Sequence, residues 1–360
     1  MPISNSPATM RTAYQQWQAA EGLPVVAGFH VDDLRTVEVQ PWARTGGRAA
    51  FIDMEGTGGT NAAYVCEIAP GGKLAPRRHL YEEVVYVLAG RGATAVWVEG
   101  GPKVTFEWQV GSLFAIPLNA TYQHFNASGT EAARYYAVTT APLVMNLFHN
   151  LDFVFDNPFV FRDRFTGAPD AFSGQGTFLA SRIWEANFIP DVARFQLLEW
   201  KERGAGGSNV MFELANNTLI AHISEFPVGT YKKAHRHGPG ANVITLSGTG
   251  YSLLWPDGAR WTKVDWHEGS VFVPPDYWWH QHFNAGATPA RYLAIRWGSV
   301  KHKLDDKHDT LAQDRAAGGN QIEYEDEDPK ILDLYERECA AHGVASRMRE
   351  VVGPRPIAVA

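Results

Sequence analysis

Cysteine is nearly missing. Cys66 and Cys339 are the two in 360 residues; they lie far apart and neither sits in a Cys-x-x-Cys pattern. This argues against a disulfide framework and against a cysteine-bound structural zinc, and it points to a reducing, cytoplasmic compartment. Basic runs are missing too: the net charge is −7 and no cluster of Lys and Arg offers a nucleic-acid patch. No apolar run is long enough to span a bilayer, and residues 1–6 lack the basic and apolar segments of a secretory signal. What these absences leave is a globular protein whose expected partner is a small molecule, with neither nucleic acid nor a membrane involved.

Turning to what is present, the hydrophobic content of 45% supports two domains of ordinary size, each with a core. From residue 48 onward, short apolar runs alternate with Gly and Pro: 49–54, 62–68, 84–88, 93–98, 113–116 and 134–139. Many short strands with regular turn signals predict an antiparallel sandwich or barrel. The stretch 231–284 carries the chemistry, with His235 and His237 two residues apart and His280 and His282 two residues apart. Alternate residues of a strand face one side, so each pair can aim both imidazoles into one interior. Two such strands facing each other make a metal pocket.

Comparing the chain with itself gives the organisation. At a constant offset of 158, His237 falls on His79, Gly248 on Gly90, Trp266 on Trp108, Gly269 on Gly111, Pro275 on Pro117, His282 on His124 and Asn284 on Asn126. Two copies of one β-domain are therefore expected. The divisions read from the sequence are an N-terminal arm (1–47), a first domain (48–145), a linker packing on both domains (146–207), a second domain (208–300) and a helical tail (301–360). In that tail Asp328 can cap a helix, Pro329 suits its first turn, and Ile331, Leu334 and Tyr335 make an apolar stripe.

These paired motifs resemble the cupin superfamily, specifically two-domain bicupins, whose first motif reads G-x5-H-x-H-x3-4-E-x6-G and whose second reads G-x5-P-x-G-x2-H-x3-N. The resemblance implies an all-β fold of two tandem jelly-roll-like barrels, each able to hold a metal through two His and a Glu of the first motif and the His of the second. It also implies a homodimer or homotetramer. Carried over position by position, it assigns His235, His237 and His280 as ligands in the second domain, with Ala241 where the Glu is expected and Tyr277 in place of the second-motif Gly. The set is similar to that of three-histidine, gentisate-type and related dioxygenases. In the first domain Arg77 and Tyr122 stand in two ligand positions, and only His79 and Glu83 remain. That domain is read as a degenerate structural partner, with a His79, Glu83 and His124 set as the alternative. His282 has a counterpart in the degraded copy, which favours a role beside the metal over ligation and makes it a candidate catalytic acid or base.

Three neutral imidazoles leave a metal its full charge and open positions, which favours Fe(II) and a dioxygenase of a small chelating aromatic or dicarbonyl compound. Zn, Ni, Mn and Cu suit imidazole as well. The competing readings are a lyase, isomerase or hydrolase using one divalent metal as a Lewis acid, and a non-catalytic small-molecule-binding cupin. Strand parity places Lys233 with His235 and Trp278 with His280, so Lys233 is a candidate catalytic or charge-neutralising group and Trp278 a candidate pocket wall. Arg296, in the final strand, is a candidate for binding a carboxylate.

Overall fold

The computed structural model describes residues 10–303 and 312–353. The stretch 1–6, read above for a targeting signal, lies outside them, and no helix among the described residues is long and apolar enough to cross a membrane.

Each repeat folds into two facing sheets. In the first repeat a large sheet runs in the order Gly47–Met54, Ala62–Ile68, Ala133–Thr139, Glu83–Ala89, Leu113–Ile116. It faces the strands Thr121–Asn126, Arg91–Trp97 and Val104–Gln109. The second repeat has the same order in Ser208–Glu213, Leu219–Phe226, Ala290–Trp297, Asn242–Ser247, Val271–Phe272, facing Trp279–Asn284, Thr249–Trp255 and Thr262–His267. The two large sheets pack back to back: Ile52, Val65, Val84 and Val138 share one buried cluster with Phe212, Ile223, Ile244 and Leu293. Strands buried on both faces read as continuous apolar runs, which is why 62–68 and 113–116 are legible as strands without alternation. Val104–Gln109 is buried on one face only and alternates residue by residue.

The ends of the chain tie the repeats together. In the arm, Val25–Gly28 pairs in parallel with Gly47–Met54 of the first barrel, while His30–Val31 pairs with Val271–Phe272 of the second. In the linker, Phe188–Ile189 adds to Leu113–Ile116. The tail holds the helix Pro329–Ala341, capped by Asp328 accepting from the Lys330 amide at 2.9 Å. Its buried face is Ile331, Leu332, Tyr335 and Cys339, with Leu334 only partly covered. The tail also adds a strand, Gln321–Ile322, beside Ala234–His235.

Polar groups cross between the barrels as well. The buried Glu82 carboxylate accepts from the Thr218 amide (2.9 and 3.0 Å), the Thr218 hydroxyl (2.6 Å) and the Leu219 amide (2.9 Å). Removing the acceptor strands these donors, so Glu82→Ala is expected to lower unfolding stability by about 3 kcal/mol in a denaturant titration. A loss below about 0.5 kcal/mol, the range of an ordinary surface change, contradicts this account of the junction.

Candidate metal centre

Two strands of the second barrel supply the imidazoles. His235 pairs directly with His280 across the strands Ala234–His235 and Trp279–Asn284, and His237 follows in the loop beyond. Ring centroids lie 4.1 Å apart for His235 and His280, 4.7 Å for His237 and His280 and 5.6 Å for His235 and His237. One nitrogen from each lies within 4.8 Å of the other two, and among the described residues this is the group of metal-binding side chains that converges.

The backbone sets which nitrogen is offered. Nδ1 of His235, His237 and His280 faces the carbonyl of Lys233 (3.4 Å), Gly238 (2.9 Å) and Trp278 (3.0 Å) respectively. A carbonyl only accepts, so each Nδ1 carries the proton and the lone pair sits on Nε2. Burial pushes His280 down to about 3 and His235 well below the usual range, helped there by the charge of Arg203. His235 and His280 are thus neutral, which is the state a metal requires. Three nitrogen donors converging in a buried cavity fit a divalent transition metal.

Two departures from the motif have visible consequences. Ala241 lines the cavity where a carboxylate ligand would stand, leaving that side open. Tyr277, in the glycine position, adopts φ +57°, as its counterpart Asn119 does at +58°. The turn keeps its left-handed shape, and the Tyr277 amide donates to the His237 carbonyl at 3.1 Å just as Asn119 donates to His79 at 3.2 Å.

The chain compares with known proteins as follows. Residues 64–139 match the family model described as a cupin domain. No curated protein matches. A solved structure concerning the Mn(II) centres of Bacillus subtilis oxalate decarboxylase is similar at 14% identity with a TM-score of 0.51, over 86% of this chain and 87% of that one. Another, on the substrate binding mode of oxalate decarboxylase, gives 13% identity and 0.51, over 92% and 88%. The fold is a tandem cupin.

Within this tandem fold the two barrels have opposite interiors. At the first barrel's ligand positions Arg77 pairs with Tyr122 as His235 pairs with His280. The Arg77 guanidinium lies 3.4 Å from Glu83 Oε1 and donates to the Tyr64 hydroxyl at 2.5 Å, which in turn donates to Glu83 Oε2 at 2.7 Å. The Tyr122 hydroxyl bridges His79 Nε2 (2.8 Å) and Glu83 Oε1 (2.9 Å). Burial pushes the Glu83 carboxyl up, but the Arg77 charge and hydrogen bonds from His79 and Tyr64 outweigh it and hold it well below the usual range. A side-chain cation is thus installed in the first cupin barrel at a ligand position. His124 does not join this cluster: its Nδ1 is 2.7 Å from the Thr94 hydroxyl, to which Trp108 Nε1 also donates.

The second barrel repeats that relay, with His282 Nδ1 2.8 Å from Ser252 Oγ and Trp266 Nε1 donating to the same oxygen at 3.0 Å. His282 lines the cavity with the three converging histidines, and burial holds it neutral. Arg296 lines the cavity too. Lys233 does not. Its ammonium pairs with Glu323 and lies over the Tyr324 ring, away from the histidines. The reason is a bulge: Tyr231 pairs with Phe283 and His235 with His280, so a step of four residues opposes a step of three and the alternation reverses. Lys232 is the lysine turned inward, 3.2 Å from the Tyr292 hydroxyl, and burial with the Arg203 charge pushes it far down. Trp278 precedes its strand and packs against Phe29 (6.3 Å between ring centroids) without lining the cavity.

Sequence reasoning missed Arg203, His222 and Tyr292, which share the wall with Arg296 around a space of about 510 Å³ that includes its open mouth. Tyr292 and Arg296 have one parity on Ala290–Trp297, and His222 opposes Ala294, so a register would have found them. Arg203 comes from a short 3₁₀ turn with no motif, and its guanidinium donates to Gln321 Oε1 at 3.0 Å.

Proposed function

We propose that the second barrel is the reactive half of a metal-dependent enzyme that oxidises a small, anionic, chelating substrate with dioxygen, and that Fe(II) is its metal. The observation that carries this reading is the three-histidine group with Ala241 in the carboxylate position. His235, His237 and His280 would hold the ion, which when bound supplies open coordination positions and a one-electron couple that zinc lacks.

The chain's own residues do the rest. Arg296 and Arg203 line the wall, where burial lowers them to about 10 and about 9; both stay charged at neutral pH. A guanidinium presents a fork to a carboxylate, so the part of the substrate away from the metal is read as an acid group. His282, held by Ser252, offers its Nε2 to a substrate oxygen. The surrounding Val243, Ala294 and Met211 keep the site poor in water.

The test is oxygen uptake by iron-loaded protein with catechol-like, gentisate-like, diketone and thiol substrates, with and without a carboxylate. Uptake that is stronger for the acids supports the proposal. No uptake across the panel sinks it. Arg296→Ala is expected to raise KM for an acid substrate by about tenfold or more with a smaller change in kcat, the signature of lost binding. A second reading, metal-assisted decarboxylation, draws on the same arginines and on the oxalate decarboxylases that share the fold. Carbon dioxide release in air-free buffer, without oxygen uptake, separates it from the first.

A further inference from the structure

The loop that leaves His237 and reaches Ala241 is held from outside by the first barrel. Asn61, fully buried, donates from Nδ2 to the Gly240 carbonyl at 2.9 Å, and its Oδ1 accepts from Asn242 Nδ2 at 3.1 Å. Asn242 Nδ2 also reaches the Gly240 carbonyl at 2.9 Å, while its Oδ1 accepts from the Tyr136 hydroxyl at 2.7 Å. The Gly240 amide donates to the Gly56 carbonyl at 3.2 Å. The loop residue that directly precedes Ala241 in the cavity wall therefore has both its amide and its carbonyl bound to the neighbouring barrel. Gly240 has φ +81°, and a Cβ there would lie 1.9 Å from Asn61 Nδ2, so the approach needs glycine.

The opposite clasp exists in mirrored form. At the repeat offset Gly240 corresponds to Glu82 and Asn61 to Leu219. There the loop side chain, Glu82, reaches across to the backbone of Thr218 and Leu219. Each barrel thus binds the loop that follows the other's first-motif ligand positions, with side-chain and backbone roles exchanged. Only the second barrel's loop carries a converging histidine.

We propose that Asn61 is a positioning residue for the metal centre: the first barrel, whose own ligand positions hold Arg77 and Tyr122, acts as a splint that sets the metal affinity of the second. This rests on His235, His237 and His280 being the ligands. Groups that orient a ligand without touching the metal typically change affinity by about ten- to a hundredfold when removed.

The test uses the full-length protein with Co(II) as probe, reading affinity by chelator competition, the ligand-field absorption of the bound ion, and the melting temperature of the metal-free form. Asn61→Ala is expected to weaken Co(II) binding by about tenfold and to alter the absorption band. Tyr136→Phe, which loosens Asn242 alone, should give a smaller loss in the same direction and remain readable where alanine unfolds the chain. The control is Asn126→Ala. Asn126 is a buried asparagine of the first barrel that donates to the carbonyls of Ile68, Ala69 and Glu131 and is remote from the loop. It should lower the melting temperature and leave affinity and spectrum unchanged. Wild-type affinity and spectrum in both clasp variants overturns the proposal, as does an equal loss of affinity in Asn126→Ala. A wild type that takes up no Co(II) overturns the ligand reading itself.

Discussion

His280→Ala and His235→Ala are each expected to leave the purified protein with essentially no bound metal, where the wild type is expected to hold about one ion per chain. Two nitrogens in a buried cavity are too few for a stable site, since structural and catalytic ions normally keep at least three protein ligands. The variants themselves should fold. Both side chains are buried and neutral without the ion, so truncation costs packing of about 1–3 kcal/mol and leaves no stranded charge. The paired control is Tyr122→Phe in the first barrel, whose metal content should match the wild type because its hydroxyl serves His79 and Glu83 only. Elemental analysis decides the matter: metal retained in His280→Ala, or lost in Tyr122→Phe, contradicts the assignment of the centre to the second barrel.

Arg77→Met is expected to show the opposite signature, a large stability loss with the metal retained. Removing one partner of a buried ion pair exposes the other to the full cost of desolvation, typically about 3–5 kcal/mol. Glu83 keeps the Tyr64 and Tyr122 hydroxyls, which places the expected loss at the lower end of that range. Adding Glu83→Gln to Arg77→Met should recover part of it, because no buried charge is then left unpaired. The pH dependence follows from the depressed Glu83 carboxyl. A carboxyl held below its unfolded value contributes stability that is complete above about pH 4.3 and is lost as the pH falls through the folded value. The wild type should therefore lose stability below about pH 4 more steeply than Arg77→Met does. Equal acid slopes, measured by denaturant titration, contradict the pairing.

Much of this molecule can be read from its residues, for reasons particular to each position. The repeat is legible because turn glycines and the second-motif Pro, His and Asn recur at one spacing, and the fold places Pro117 and Pro275, His124 and His282 in equivalent strands and turns. The histidine group is legible because direct cross-strand neighbours can be inferred from the motif. Lys233 marks where this stops: a single bulged residue reverses parity, and nothing in the side chains of 231–235 announces it. Trp278 fails for a related reason, since the strand begins at Trp279 and its alternation does not extend back to Trp278. Arg203 was out of reach because it enters from a turn far from both motifs, brought in by tertiary packing alone. The inter-barrel clasp was hidden similarly, as Asn61 reads locally as a loop asparagine.

The strand Gln321–Ile322 closes the sheet beside Ala234–His235, and Gln321 also receives the Arg203 guanidinium. The edge that carries the first ligand is therefore finished by residues made almost ninety positions later. During synthesis the first barrel can close with its internal cation already in place, since Arg77 and Glu83 are both early in the chain. The second cannot. Its histidine-bearing edge stays open until Gln321 and Ile322 have been made.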